Sequence, residues 1–158
     1  MHKPSFFERY QQLQAYVRWS QEDLQRIPKI AQIVEPHVDD LISDFYQVIQ
    51  QHPDAARILS GGSDQINRLR GSLRGWIEQL FCSLYDEQYV ERRSAVGRRH
   101  VEIGLNQVFT NVAMSRLRGG MARIMRENWE AGEENLIDHL LTLDKLLDLE
   151  LAIIEDAY

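Results

Sequence analysis

The 158-residue chain has a single cysteine, Cys82, and only four prolines, Pro4, Pro28, Pro36 and Pro53, all in its first third. One cysteine excludes an internal disulfide, and with no Cys-x-x-Cys pair there is neither a zinc knuckle nor an anchor for a covalently attached cofactor. Long hydrophobic runs are missing too: the longest, Leu151 to Ile154, is four residues, against the ~18 needed to span a bilayer. The N-terminus has no continuous apolar stretch, so no signal peptide is read there, and the chain is expected to be cytoplasmic. A hydrophobic fraction of 44% and a charged fraction of 27% are ordinary for a folded soluble protein. The length suits one domain, residues 1–158, with a core of its own.

Positive charge is scarce where it would matter for nucleic acid. The net charge is −6, and residues 131–158 hold 8 acidic side chains against Lys145 alone. With no basic stripe, phosphate-tracking binding is disfavoured.

Strand patterning is also lacking. No run alternates with period two, whereas helical spacing recurs throughout, so the expected class is all-α with about seven helices. A short helix spans about Pro4–Val17. Ser20 and Asp23 form a capping pair for the next, which reaches about Val34 with a kink or break at Pro28. Pro36 opens a third that ends before Pro53. Ser60-Gly61-Gly62-Ser63 breaks the chain, with Ser63 as the expected cap of a helix to Leu84. Further helices run from Asp86 to Ile103, stopping at Gly104, from Leu105 to Asn128, and from Leu136 to Tyr158. Gly71 and Gly75, and later Gly119 and Gly120, are positions where helices could approach closely.

Catalytic signatures are absent: no Glu-x-x-His pair for a di-iron site, no Gly-x-Ser-x-Gly and no phosphate-binding glycine loop. Among the histidines, His2, His37, His52 and His139 read as solvated or locally bonded. His100 differs, because Val96, His100 and Ile103 are spaced four and three apart and place the imidazole on an apolar helix face. A buried imidazole needs a partner, either a hydrogen-bond acceptor or a metal. Phe45, Leu69, Leu73, Trp76, Val108 and Phe109 are apolar at helical spacing, which suits a plain core or a cofactor wall equally. Arg92, Arg93, Arg98 and Arg99 read as a solvated face that could supply one partner to an anionic group.

The stretch Val96-Gly97-Arg98-Arg99-His100-Val101-Glu102-Ile103-Gly104-Leu105 closely resembles the proximal-histidine pattern Val-Gly-x-x-His-x-x-Ile-Gly-Leu of globin-coupled sensors, bacterial haem proteins that detect diatomic gases. Asp44-Phe45-Tyr46-Gln47-Val48-Ile49 is similar to that family's distal Phe-Tyr helix. The resemblance covers essentially the whole chain. It implies a globin fold with an extra N-terminal helix and no fourth (D) helix. It implies non-covalent haem b with His100 as the iron's protein ligand, and Tyr46 as hydrogen-bond donor to O2. Ser72 would be a second donor and Leu69 part of the ligand pocket, with Phe45, Leu73, Trp76, Val96, Ile103, Val108 and Phe109 around the cofactor. No histidine occurs from Ser63 to Phe81, the helix that supplies the distal histidine of myoglobin-like proteins, so another donor must face a ligand that takes on negative charge.

The resemblance also implies a sensor of O2, CO or NO rather than an enzyme. Lys145 to Tyr158 is similar to segments leading into output domains, most of all diguanylate cyclases, with histidine kinases and chemotaxis transducers sharing the sensor. The last helix reaches Tyr158 without a glycine or proline stop, so a C-terminal output domain beyond this chain is expected. Its apolar residues, from Leu136 to Ile154, wrap wider than the ~100° one globular face needs. A homodimer through the last two helices is therefore expected. The covalent path from His100 through Gly104 and Leu105 into that surface would be short. The competing reading is a non-haem, globin-like dimerisation domain.

Overall fold

The computed structural model describes residues 2–82 and 84–158, and no strand occurs among them. The helices are α1 (Phe6–Tyr16), α2 (Gln21–Val34), α3 (Val38–Gln50), a single turn α4 (Pro53–Ala56), α5 (Gly62–Leu80), α6 (Glu87–Glu102), α7 (Gln107–Glu127) and α8 (Glu133–Asp156). This is the expected all-α arrangement with a short first helix ahead of the main set. After α4 only a 3-10 turn, Arg57–Leu59, precedes α5, so no D helix intervenes.

Local chemistry sets most boundaries. Ser20 Oγ accepts the Asp23 amide at 3.2 Å while the Asp23 carboxylate accepts the Ser20 amide at 3.0 Å, satisfying two orphan N–H groups at once. Pro28 does not break α2. Its ring is exposed, where water can serve the carbonyl that loses its amide partner. Pro36 lies in a 3-10 turn, Glu35–His37, that feeds α3 directly. Ser63 is not the cap of α5; Gly61 is. Gln65 displaces it, accepting the Gly61 amide at 2.7 Å and donating to the Ile58 carbonyl at 3.0 Å. Asp86 caps α6 through the Tyr89 amide at 2.9 Å, and Gly104, with φ 75°, ends it.

The main core joins Ile27, Ile30 and Val34 of α2, Leu41, Ile42 and Tyr46 of α3, Ile77 and Leu80 of α5, the methionines of α7, and Leu143, Leu146 and Leu147 of α8. A second cluster, Tyr10, Tyr89, Val90, Leu149 and Ile153, sits under α1. The wide stripe of α8 is largely used inside the chain, because α8 packs against α1, α2, α6 and α7. Leu143 and Leu147 are buried, and Ile137 and Leu141 are what α8 leaves exposed, at 50% and 55%. A helix with four neighbours needs a wide apolar surface without any second subunit, so the width of the stripe is not itself a sign of dimerisation.

Two close approaches follow from glycine, one at the expected Gly120 and one at Gly97, which was not expected. A Cβ on Gly97 would lie 2.5 Å from the Ile154 carbonyl oxygen and 2.8 Å from Ala157 Cβ, and one on Gly120 would meet only the tip of Leu41. Gly71, Gly75 and Gly119 have open space where a Cβ would stand.

Candidate functional site

α3 and α5 pack against each other and set one half of the site. Tyr46 is 8% exposed, with Phe45 edge-on to it at 5.3 Å between ring centroids. Phe45, Leu69, Leu73 and Trp76 are half-buried against the main core. Burial pushes the Tyr46 hydroxyl up to about 12, with the positive charge of Arg70 working the other way, so it keeps its proton and can donate. Arg70 is held by Ser43 at 2.7 Å. Ser72 lies one helical turn from Trp76, exposed, with its hydroxyl donating to the Arg68 carbonyl of its own helix at 3.1 Å.

α6 supplies the other half. His100 is half-buried, with Val96 on the same face and Ile103 beyond it, 38% exposed. The buried Nδ1 of His100 has no hydrogen-bond partner among the described residues. Burial lowers its pKa, so the imidazole is neutral near pH 7, the form whose lone pair binds metal. None of Val96, Ile103, Val108 and Phe109 is packed into either hydrophobic cluster. Phe109 is half-buried, whereas Val108 stands 59% exposed on the solvent side of α7 beside Val112. α6 is secured by α1 and α8, and it meets α5 at Trp76 and Gln79, through Arg93.

That meeting point was not foreseen. Arg93, expected on a solvated face, is 2% exposed and bonded to Glu150, itself 1% exposed. A charge on each of two apolar stripes, seven residues before His100 and in the middle of Leu146 to Ile154, was the available signal. Arg98 and Arg99 pair with Glu91 and Glu102 at 3.0 and 3.3 Å. His139 is buried and locally bonded, its Nδ1 2.8 Å from the Asn135 carbonyl oxygen, and His2 pairs with Glu8.

The donor set restricts what can bind. Among the described residues no three His, Cys, Asp or Glu side chains are grouped to hold a metal ion. One neutral imidazole without a partner therefore suits a metal that brings its other donors with it, as a porphyrin does. Val96 of α6 and Ile103 at its end belong to neither hydrophobic cluster and keep apolar surface for such a ring to cover. Two open clefts, of about 350 and 250 Å³, are lined by Glu35, Val38, Arg74 and Glu78 and by residues around Trp19 and Tyr85, and neither includes His100 or Tyr46. No helix among the described residues is long and apolar enough to cross a membrane.

An extra first helix, no D helix and one unpartnered imidazole on the helix before the last two define a globin-type domain. The chain belongs to the protoglobin family, whose model matches residues 7–158. It is similar to the globin domain of a Geobacter sulfurreducens globin-coupled sensor, with 26% identity, a TM-score of 0.87, and 94% of this chain and 96% of that one covered. The globin domain of E. coli DosC, in ferric and ferrous forms, shares the fold at 17% identity and a TM-score of 0.78, with 94% of this chain and 98% of those chains covered. Membership of this family implies haem binding.

Proposed function

We propose that this domain binds haem b through His100, takes O2, CO or NO at that haem, and passes the event through its C-terminal helices to an output domain, a diguanylate cyclase. The observation that carries this reading is the neutral, half-buried imidazole of His100, unpartnered at Nδ1, within the matched family segment. Haem b would supply the coordination site for the diatomic ligand. Tyr46, buried and protonated, would donate its O–H to a ligand that has taken on negative charge. Leu69, Leu73, Phe45 and Trp76 would exclude water on that side, and Val96, Ile103 and Phe109 would pack around His100.

The same reading includes a homodimer through the outer faces of α7 and α8. Val108 and Val112 on α7, and Ile137 and Leu141 on α8, are each at least half exposed, and these two helices pack side by side. A cytoplasmic location goes with it.

The test is reconstitution with haem. The wild-type chain should take up one equivalent and give a Soret band that shifts when CO is added to the ferrous form. His100→Ala should lose most of that binding, because the metal loses its protein bond. A variant keeping an unchanged five-coordinate ferrous spectrum would remove His100 from the role. A wild-type chain that takes up no haem would favour the cofactor-free dimerisation domain.

A further inference from the structure

Three helices converge on one buried guanidinium. Arg93 of α6 donates through Nη2 to the Trp76 carbonyl at 2.9 Å and through Nη1 to Gln79 Oε1 at 3.3 Å, both on α5. Its Nε faces the Glu150 carboxylate of α8 at 3.0–3.1 Å. The guanidinium also lies 4.7 Å from the Tyr89 ring centre and 5.3 Å from that of Trp76. Two turns along α6 comes His100, and Trp76 belongs to α5, the helix that supplies Leu69 and Leu73 to the candidate site. The pair therefore sits where α5, α6 and α8 meet.

From that point α6 is fastened along the end of α8. Gly97 receives the backbone of Ile154 and the methyl of Ala157. Beyond His100, the Tyr158 hydroxyl donates to the Leu105 carbonyl at 2.8 Å and lies 3.3 Å from Thr110 Oγ1. The contacts advance together along both helices and just past their ends, from Arg93 with Glu150 to Leu105 with Tyr158, and His100 stands between the fixed points. Movement of His100 relative to α5 has to strain the bonds of Arg93 or carry α8 with it.

Energetics argue against a purely structural purpose. Burial pushes the Glu150 carboxyl well above the usual carboxylate range and pulls Arg93 down to about 10. Both charges thus give up solvation to be here, and a well-packed apolar pair would hold the same helices at least as firmly. What an apolar pair lacks is direction: a guanidinium fork fixes the angle at which three partners meet.

We propose that Arg93, held by Glu150, is the positioning residue that sets the opening between α5 and α6 and couples it to the C-terminal end of α8. This deepens, and rests on, the reading of His100 as haem ligand. Arg93 does not touch Tyr46, Leu69 or Leu73 through any hydrogen bond or ion pair; it acts through the Trp76 backbone and ring, Gln79 and Glu150.

The experiment compares the haem-loaded wild type with Arg93→Met/Glu150→Leu and Arg93→Lys, by hydrogen exchange of the segment 146–158 in the ferrous state with and without CO. In the wild type, CO should change exchange in that segment about fivefold or more, the lower end of ordinary allosteric coupling. The double variant should keep its melting temperature and its one equivalent of haem and lose the CO-dependent difference. Arg93→Lys, which keeps the charge without the fork, should lose most of it and serves as the reading if the double variant does not fold. A difference that survives in the folded variants overturns the proposal, as does a wild type whose segment 146–158 ignores CO. Failure of the wild type to take up haem overturns the haem reading and the coupling together, and is seen separately in the Soret band before any exchange is measured.

Discussion

Gly97 of α6 and Ile154 of α8 are in backbone contact: a methyl group on Gly97 would stand 2.5 Å from the Ile154 carbonyl oxygen. Because the obstacle is backbone rather than a flexible tip, Gly97→Ala should push the two helices apart and cost ~1–3 kcal/mol. Gly71→Ala meets nothing within 4 Å and should gain ~0.5–1 kcal/mol by removing glycine from a helix interior. Thermal melts of both variants check the contrast; equal effects would mean that α6 and α8 are not in contact at Gly97.

Tyr46→Phe should leave haem uptake intact and weaken O2 binding. Removing a hydrogen bond to a charged acceptor costs ~1.5–3 kcal/mol, or roughly 10- to 150-fold in affinity. The loss should appear mainly as faster O2 release by stopped flow, with CO, a poorer acceptor, less affected. Ser72→Ala should change little by comparison, since that hydroxyl already serves the Arg68 carbonyl. Unchanged O2 release in Tyr46→Phe, with a faster rate in Ser72→Ala, would reverse the two roles.

Acid stability should depend on Asp23. Burial alone would raise its pKa. The Thr142 hydroxyl at 2.5 Å, the Lys145 ammonium at 2.9 Å and the Ser20 amide together bring it below 3.8. A carboxyl whose folded pKa lies below its unfolded value stabilises fully above the unfolded value and loses that contribution as pH falls through the folded one. Asp23→Asn should therefore cost ~1.5–3 kcal/mol at neutral pH, and the deficit should shrink below pH 3.8. Denaturant melts at several pH values measure it, and a deficit independent of pH would contradict the assignment.

Assembly is tested on the residues that remain outside the core. Ile137→Glu with Leu141→Glu should give a monomer that still binds haem, whereas glutamate at buried Leu143 or Leu147 should unfold the chain. Sedimentation velocity near ~10 μM, a working range for a stable interface, separates the cases. A wild type that is monomeric there would dispose of the dimer.

The sequence by itself determined the helices and the two ends of α6. Those features are local: the Ser20–Asp23 box, the Asp86 cap and the left-handed stop at Gly104 involve residues within a turn of each other, and apolar spacing repeats every 3.6 residues whatever the helix packs against. The segment around His100 was legible for the same reason, since its histidine, glycines and apolar residues lie within ten consecutive positions. Only the tertiary structure decided which surfaces those helices share. It turned most of the α8 stripe inward, gave close approach to Gly97 instead of Gly71 or Gly75, and buried Arg93 against Glu150, 57 residues away in sequence. Each of these depends on which helix lies opposite, and periodicity along one strand of sequence specifies a buried face without naming what will cover it.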